Sequence, residues 1–162
     1  MLAEFDSTDR KLIGLLQADT RPSLAEMGKE IGLSVSSTKE RIGKLVDKGV
    51  ITGFHAHVHA EALGLDLLAF LFVGWSDPAT EKPFLARILA EPCVLECHHV
   101  TGVWNYALKV RVKNPRMLEG LLANVIKSVP GVERTETIIA LSTRKETTQL
   151  PTEPPLWMAP KT

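Results

Sequence analysis

Ile31-Gly32-Leu33-Ser34-Val35-Ser36-Ser37-Thr38-Lys39-Glu40-Arg41-Ile42-Gly43-Lys44-Leu45-Val46-Asp47-Lys48-Gly49 reads as a short turn feeding one strongly patterned helix. Ser34 is a residue type that caps helix N-termini, and Gly49 is one that ends them. Rotating each residue by ~100° gathers Val35, Ile42, Leu45 and Val46, with Thr38, on an arc that faces a core. The opposite arc carries Ser36, Ser37, Glu40, Lys44 and Lys48, flanked by Lys39 and Arg41. Small hydroxyls in a first turn permit close approach to a duplex, and flanking cations suit the phosphates on either side of a major groove. Standing alone, the same pattern describes a solvated amphipathic helix.

It does not stand alone. Ser23 to Ile31 reads as a second helix capped by Ser23, with Leu24, Met27 and Ile31 on one face and only Gly32-Leu33 before the next cap. Two short helices joined by a Gly-containing turn make a helix-turn-helix, whose second helix reads the groove. The expected DNA-facing set is Ser23, Ser34, Ser36, Ser37, Lys39, Glu40, Arg41 and Lys44. Arg41 and Lys44 are expected to hold phosphates, and Ser36 and Ser37 to set register. Glu40 either accepts from a cytosine amino group or pairs with Lys44. Ahead of these, Asp6-Ser7-Thr8-Asp9 offers caps and first-turn acids for a helix with Leu12, Ile13, Leu15 and Leu16 on its core side, broken at Arg21-Pro22.

Nineteen basic residues balance nineteen acidic ones, and the chain before residue 61 carries eight of each. Bulk charge therefore does not draw the chain to nucleic acid; affinity must come from local placement on one face, multiplied by several copies in one assembly. An oligomer is expected on that ground. No apolar run approaches the ~18 residues of a membrane span, and Met1 to Arg10 lacks the basic and apolar regions of a signal peptide. These features lead us to expect a cytoplasmic chain with no membrane partner. No Ser/His/Asp array, phosphate-binding loop or zinc-ligand spacing is present, so neither catalysis nor a cofactor is expected.

After Gly49 the period changes. Val50 to His59 contains β-branched residues and alternation, and reads as a strand or hairpin trailing the recognition helix. His55, His57 and His59 would share one strand face at ~6.6 Å steps, with no Cys, Asp or Glu interleaved to complete a metal shell. From Leu67 onward a repeat emerges: strand Leu67 to Trp75, helix Lys82 to Ala90, strand Cys93 to Val100, then strand Tyr106 to Val112, helix Pro115 to Lys127 and strand Val132 to Leu141. Glu91-Pro92-Cys93-Val94 answers Val129-Pro130-Gly131-Val132. Two βαβ units in tandem give a four-stranded antiparallel sheet with both helices on one face. The run Leu67 to Val73 is apolar on both sides, so a second copy of the sheet is the expected cover.

Cys93 and Cys97, four residues apart in a strand, would lie ~13 Å apart, too far for a disulfide. The segment from Gln149 to Thr162 holds Pro151, Pro154, Pro155 and Pro160 and is expected to be extended or disordered, the alternative being that Leu156-Trp157-Met158 serves as a docking peptide.

Asp6…Asp9…Ile13…Leu16…Asp19…Arg21, Leu33-Ser34…Arg41-Ile42…Leu45…Gly49-Val50-Ile51 and, farther on, Val100-Thr101-Gly102 inside a tandem βαβ region together resemble the Lrp/AsnC family of feast/famine transcription regulators, over residues 4 to about 146. The resemblance implies an α+β chain: a winged-type helix-turn-helix over 1–53, a linker strand over 54–65 and a ferredoxin-like βαββαβ effector and dimerisation domain over 66–146, beyond which composition gives a Pro-rich tail over 147–162. It implies a sequence-specific regulator of double-stranded DNA, dimeric through the second domain and often assembled into octamers or other rings, answering to an amino acid or related metabolite bound between subunits. By the same resemblance the effector contacts are Thr101, Gly102, Val103, Trp104 and Asn105, with Thr135, Glu136 and Thr137 of a neighbouring subunit. Family members commonly show Gly-x-x-Asp-Tyr where this chain has Gly102-Val103-Trp104-Asn105-Tyr106. If the family acid pairs with a ligand's ammonium, simple α-amino acids should bind weakly here, with Trp104 either stacking on a planar ligand or plugging the pocket. The alternative is a relative of the tetrapyrrole decarboxylases that keep a degenerate helix-turn-helix, with His98-His99 beside Trp104.

Overall fold

The structure, a computed structural model, describes residues 6–153. The described residues form two compact units: 6–56 together with 145–153, and 57–144.

In the first unit, local capping fixes three helices. Asp6 caps α1 (Ser7–Ala18), its carboxylate accepting from Asp9 N at 2.7 Å. Ser23 and Glu26 form a reciprocal capping box at the start of α2 (Leu24–Ile31), which satisfies donors that the first turn leaves free. Ser34 Oγ accepts from Ser37 N at 3.2 Å to start α3 (Val35–Asp47). Leu12, Met27 and Leu45 make the small core, with Ile13, Leu16, Leu24, Ile31 and Ile42 packed around it. The turn between α2 and α3 is tight. A Cβ on Gly28 would stand 2.7 Å from the Leu33 carbonyl oxygen and 2.8 Å from Thr38 Oγ1, and Thr38 itself is fully buried, its hydroxyl donating to Ser34 O.

The apolar arc expected of α3 is narrower than the sequence suggests. Thr38 and Leu45 are buried and Ile42 is half-buried, but Val35 is 50% exposed and Val46 42%. Three short helices and the Val50-Ile51 segment after them build this small core, so it closes over the middle of the arc and leaves its edges out. The strand expected over Val50 to His59 is also not formed within the chain; residues 52–59 are irregular, and Glu61–Leu63 is a single 3₁₀ turn. Val50 N and Ile51 N both donate to Leu45 O, tying the segment to α3, after which no neighbouring strand offers ladder partners.

The second unit contains β1 (Leu67–Gly74), α4 (Glu81–Ile88), β2 (Val94–His99), β3 (Tyr106–Val112), α5 (Pro115–Leu121) and β4 (Arg134–Ile139). The sheet is antiparallel in the order β2-β3-β1-β4, which is the order the tandem βαβ reading requires. Ala69, Leu71 and Val73 of β1 and Tyr106, Leu108, Val110 and Val112 of β3 pack with Phe84, Ile88, Leu118, Leu121 and Ile126 in one core. Helix α5 is shorter than expected: beyond Leu121 the chain continues as a π turn over Leu122–Ile126, closed by Lys127 N donating to Leu122 O. That geometry leaves Asn124 O to accept from Arg87 Nη2 at 2.8 Å and Ser128 Oγ at 2.7 Å.

Strand alternation puts Leu68, Phe70 and Phe72 on the face away from the helices, beside Ala107, Lys109 and Arg111 of β3 and Glu136 and Ile138 of β4. This face is not uniformly apolar. Phe70 and Ile138 are exposed, whereas Glu96 accepts from Lys109 at 3.0 Å and stands 3.2 Å from His98 Nε2. Cys93 and Cys97 are half-buried free thiols, and burial pushes both above the usual thiol range. Residues 149–153 of the Pro-rich segment run without regular secondary structure, and Leu156-Trp157-Met158 lies outside the described residues.

Candidate DNA-binding face and effector loop

The first turn of α3 presents a hydroxyl cluster. Ser34 Oγ donates to Ser37 Oγ at 2.9 Å and lies 3.0 Å from Ser36 Oγ, with Val35 exposed among them. One turn on, Lys39 and Lys44 are exposed, and Lys44 Nζ reaches Glu40 Oε1 at 2.6 Å. That hydrogen bond holds the Glu40 carboxyl below the usual range. Of the two roles expected for Glu40, the structure displays the intrahelical pair. Ser23 is occupied within its capping box, its hydroxyl donating to Glu26 Oε2 at 2.8 Å.

Arg41 is placed differently from the other expected contacts. Its Nη1 donates to Asp6 Oδ2 at 2.8 Å and Asp9 Oδ1 at 2.7 Å, and its side chain is 32% exposed. The Asp9 backbone N–H and then Arg41 hold the Asp6 carboxyl below its ordinary value. Arg41 thus clamps the start of α1 to the middle of α3. Both carboxylates sit more than thirty residues away in sequence, which is why the helical pattern alone assigned this cation to the outer face. A cleft of about 360 Å³ opens beside the clamp, lined by Asp9, Leu33, Ser37, Glu40, Arg41, Lys44, Leu45 and Lys48.

The expected effector loop is a closed structure. Val100 N donates to Asn105 O at 3.0 Å, Asn105 N to Val73 O at 2.9 Å, and Trp75 N to Asn105 Oδ1 at 2.8 Å. Gly102 turns the loop at φ 108°, a conformation that favours glycine. The Asn105 side chain is therefore occupied in holding the loop to the end of β1, a task for which an aspartate's carboxylate oxygen would serve equally. Within one chain, the Asn105 oxygen thus serves the fold by accepting from Trp75 N. Trp104 packs on Phe72, ring centroids 6.2 Å apart, and the Arg134 guanidinium lies over its ring at 5.3 Å. Arg134 Nη2 also donates to Val103 O. The sequence reading missed Arg134, because only the register that sets it opposite Gly74 reveals it: a Cβ on residue 74 would stand 2.5 Å from Arg134 Nε. Glu136 shares the open face with Trp104's partner Phe72, whereas Thr135 and Thr137 pair with Val73 and Leu71 and project toward the helices. Within one chain the loop thus gathers Val103 and Trp104 with Arg134, and not with Thr135 or Thr137.

His98 and His99 face opposite sides of β2. His99 stacks on Tyr106 at 5.0 Å within the aromatic cluster, and His98 sits beside Glu96 on the open face.

A sequence model described as the AsnC-type helix-turn-helix domain matches residues 5–46, and one described as the Lrp/AsnC ligand binding domain matches residues 68–150. The HTH-type transcriptional regulator FL11 of Pyrococcus horikoshii is 41% identical over 152 residues, which is 93% of this chain and 99% of FL11. The chain belongs to the Lrp/AsnC family. This Lrp/AsnC chain is also similar in structure to a transcriptional regulator from Neisseria meningitidis in complex with L-Met, with a TM-score of 0.87 and 28% identity over 91% of this chain and 97% of that one. The feast or famine regulatory protein from M. tuberculosis complexed with L-methionine superposes with a TM-score of 0.83 at 36% identity, covering 91% and 99%. As a member of this family the protein is a DNA-binding transcriptional regulator. The decarboxylase alternative finds no support among these relatives. Among the described residues no helix is long and apolar enough to cross a membrane.

Proposed function

We propose that this regulator reads double-stranded DNA through the first turn of α3 and answers to an amino-acid-like metabolite at the Trp104 loop, acting in the cytoplasm as a homo-oligomer and without catalysis. The observation that carries the DNA reading is the juxtaposition of exposed Val35 and Ser36 with half-buried Ser37 on a first turn flanked by exposed Lys39 and Lys44. Val35 offers a surface for a thymine methyl, the serines supply donors to base or phosphate, and the lysines meet the backbone. Residues 1–53 serve as the DNA-binding domain, and 66–146 as the effector and dimerisation domain. Phe70 and Ile138 on the open sheet face favour cover by a second copy.

Salt titration of DNA binding tests this assignment. Lys39→Ala and Lys44→Ala should each flatten the slope of log K against log salt by about one unit. Arg41→Ala should weaken binding about tenfold, by releasing α1 from α3, while leaving the slope unchanged. A slope lowered by Arg41→Ala would return that cation to the phosphates.

Two relatives hold L-methionine, which makes it the first ligand to try. Arg134 provides guanidinium donors for a carboxylate beside the flat Trp104 surface. Calorimetry should show L-methionine binding weakened at least tenfold by Arg134→Ala and by Trp104→Ala, and unchanged within about threefold by Asn105→Asp. Equal affinity in all four proteins would remove the loop from effector recognition.

A further inference from the structure

Arg10, Gly14 and Gln17 lie at i, i+4 and i+7 on α1 and form one stripe of that helix. An extended piece of the chain's own C-terminal segment runs along it. Gln17 Oε1 accepts from Leu150 N at 2.7 Å and Gln17 Nε2 donates to Leu150 O at 3.0 Å, so one side-chain amide engages both main-chain groups of a single residue as a strand neighbour would. Gln149 Nε2 donates back to Gln17 O at 2.8 Å, and Arg10 Nη1 reaches Thr152 O at 3.5 Å. A Cβ on Gly14 would stand 3.4 Å from Thr152 Oγ1, so anything larger than alanine would meet the segment. Glycine is the least favoured residue but proline inside a helix, and the close approach of Thr152 gives it a reason to be there.

We propose that this stripe is a docking site for the chain's own residues 149–152, which strap the far end of the protein onto the DNA-binding unit. The match to the Lrp/AsnC ligand binding domain runs to residue 150, yet residues 145–153 pack with the first unit. The chain therefore passes between the two units twice, once near 56 and once near 144, and α1 receives the second passage. Pro151 suits the arrangement, since it has no N–H to leave unsatisfied between the two contacts at Leu150 and Thr152. The proposal does not rest on any effector assignment.

Hydrogen exchange on the full-length protein tests it. In the wild type, the Leu150 amide should exchange about tenfold more slowly than in a free peptide of the same sequence. Gln17→Ala should return it to the free rate while the amides of α2 and α3 keep theirs. Gly14→Leu should do the same, and because leucine favours helix over glycine, an unchanged or increased helical circular dichroism signal shows that eviction rather than unfolding is responsible. Free-chain exchange of Leu150 in the wild type, or protection that survives both substitutions, would overturn the proposal. Protection lost on dilution to the dissociated protomer would assign the docked segment to a second copy and overturn docking within the chain.

Discussion

Phe84→Ala is expected to destabilise the sheet unit by about 3–5 kcal/mol, the range for removing a large aromatic from a packed core. Phe84 is fully buried on α4, with its ring 4.9 Å from Trp75 and 5.3 Å from Tyr106. The residual cavity would open the cluster that isolates the Tyr106 hydroxyl, which donates to Glu81 Oε1 at 2.6 Å. Burial, followed by that carboxylate, pushes Tyr106 up to about 12 from an ordinary value of 10.0. Since the folded state holds this proton more tightly than the unfolded chain, the contribution to stability is present below pH 10 and is lost as pH rises toward 12. Tyr106 is the chain's one tyrosine, so tyrosinate absorbance reports it alone. Under folding conditions the alkaline titration of Phe84→Ala should move from about 12 back toward 10, alongside a lower denaturation midpoint. A midpoint and titration both unchanged would mean that Phe84 does not anchor the cluster.

Gly28→Ala should have the second largest effect, and should act on DNA binding through packing alone. The added methyl would press on the Leu33 carbonyl and on buried Thr38, neither of which can withdraw without shifting α3 against α2. Overpacking of this kind costs about 1–3 kcal/mol. DNA affinity should fall, with the salt slope retained because no phosphate contact is removed. Gly43→Ala is the control on the next helix: nothing lies within 4 Å of a Cβ there, and the substitution should stabilise α3 by about 1 kcal/mol. Equal destabilisation by the two would show that the α2–α3 approach is not as tight as described.

Features decided by neighbours in sequence were legible before any coordinates. The caps at Asp6, Ser23 and Ser34, the tandem βαβ order and the placement of Lys39 and Lys44 follow from local spacing and chemistry. Features that depend on distant partners were not. The helical pattern cannot show where a core stops, so Val35 and Val46 passed for buried residues. Alternation over Val50 to His59 permits a strand, but a strand also needs a neighbour, and none pairs with it among the described residues. Arg41 reads as an outward cation until Asp6 and Asp9 are brought beside it, and Arg134 is inconspicuous until β4 aligns it with Gly74. The charge of residue 105 is visible in sequence, whereas the hydrogen bond from Trp75 N to Asn105 Oδ1 is not. The prolines near the C-terminus indicated extended chain without indicating that α1 would hold it.

If the first turn of α3 reads base sequence, substitutions there should alter which duplexes are bound. Selection of bound duplexes from a randomised pool, carried out in parallel with wild type and Val35→Ala, tests it most directly. The wild type should enrich one recurring motif, and Val35→Ala should enrich the same motif with preference relaxed at a single thymine position. Identical motifs from the two proteins, or no motif from the wild type, would contradict it.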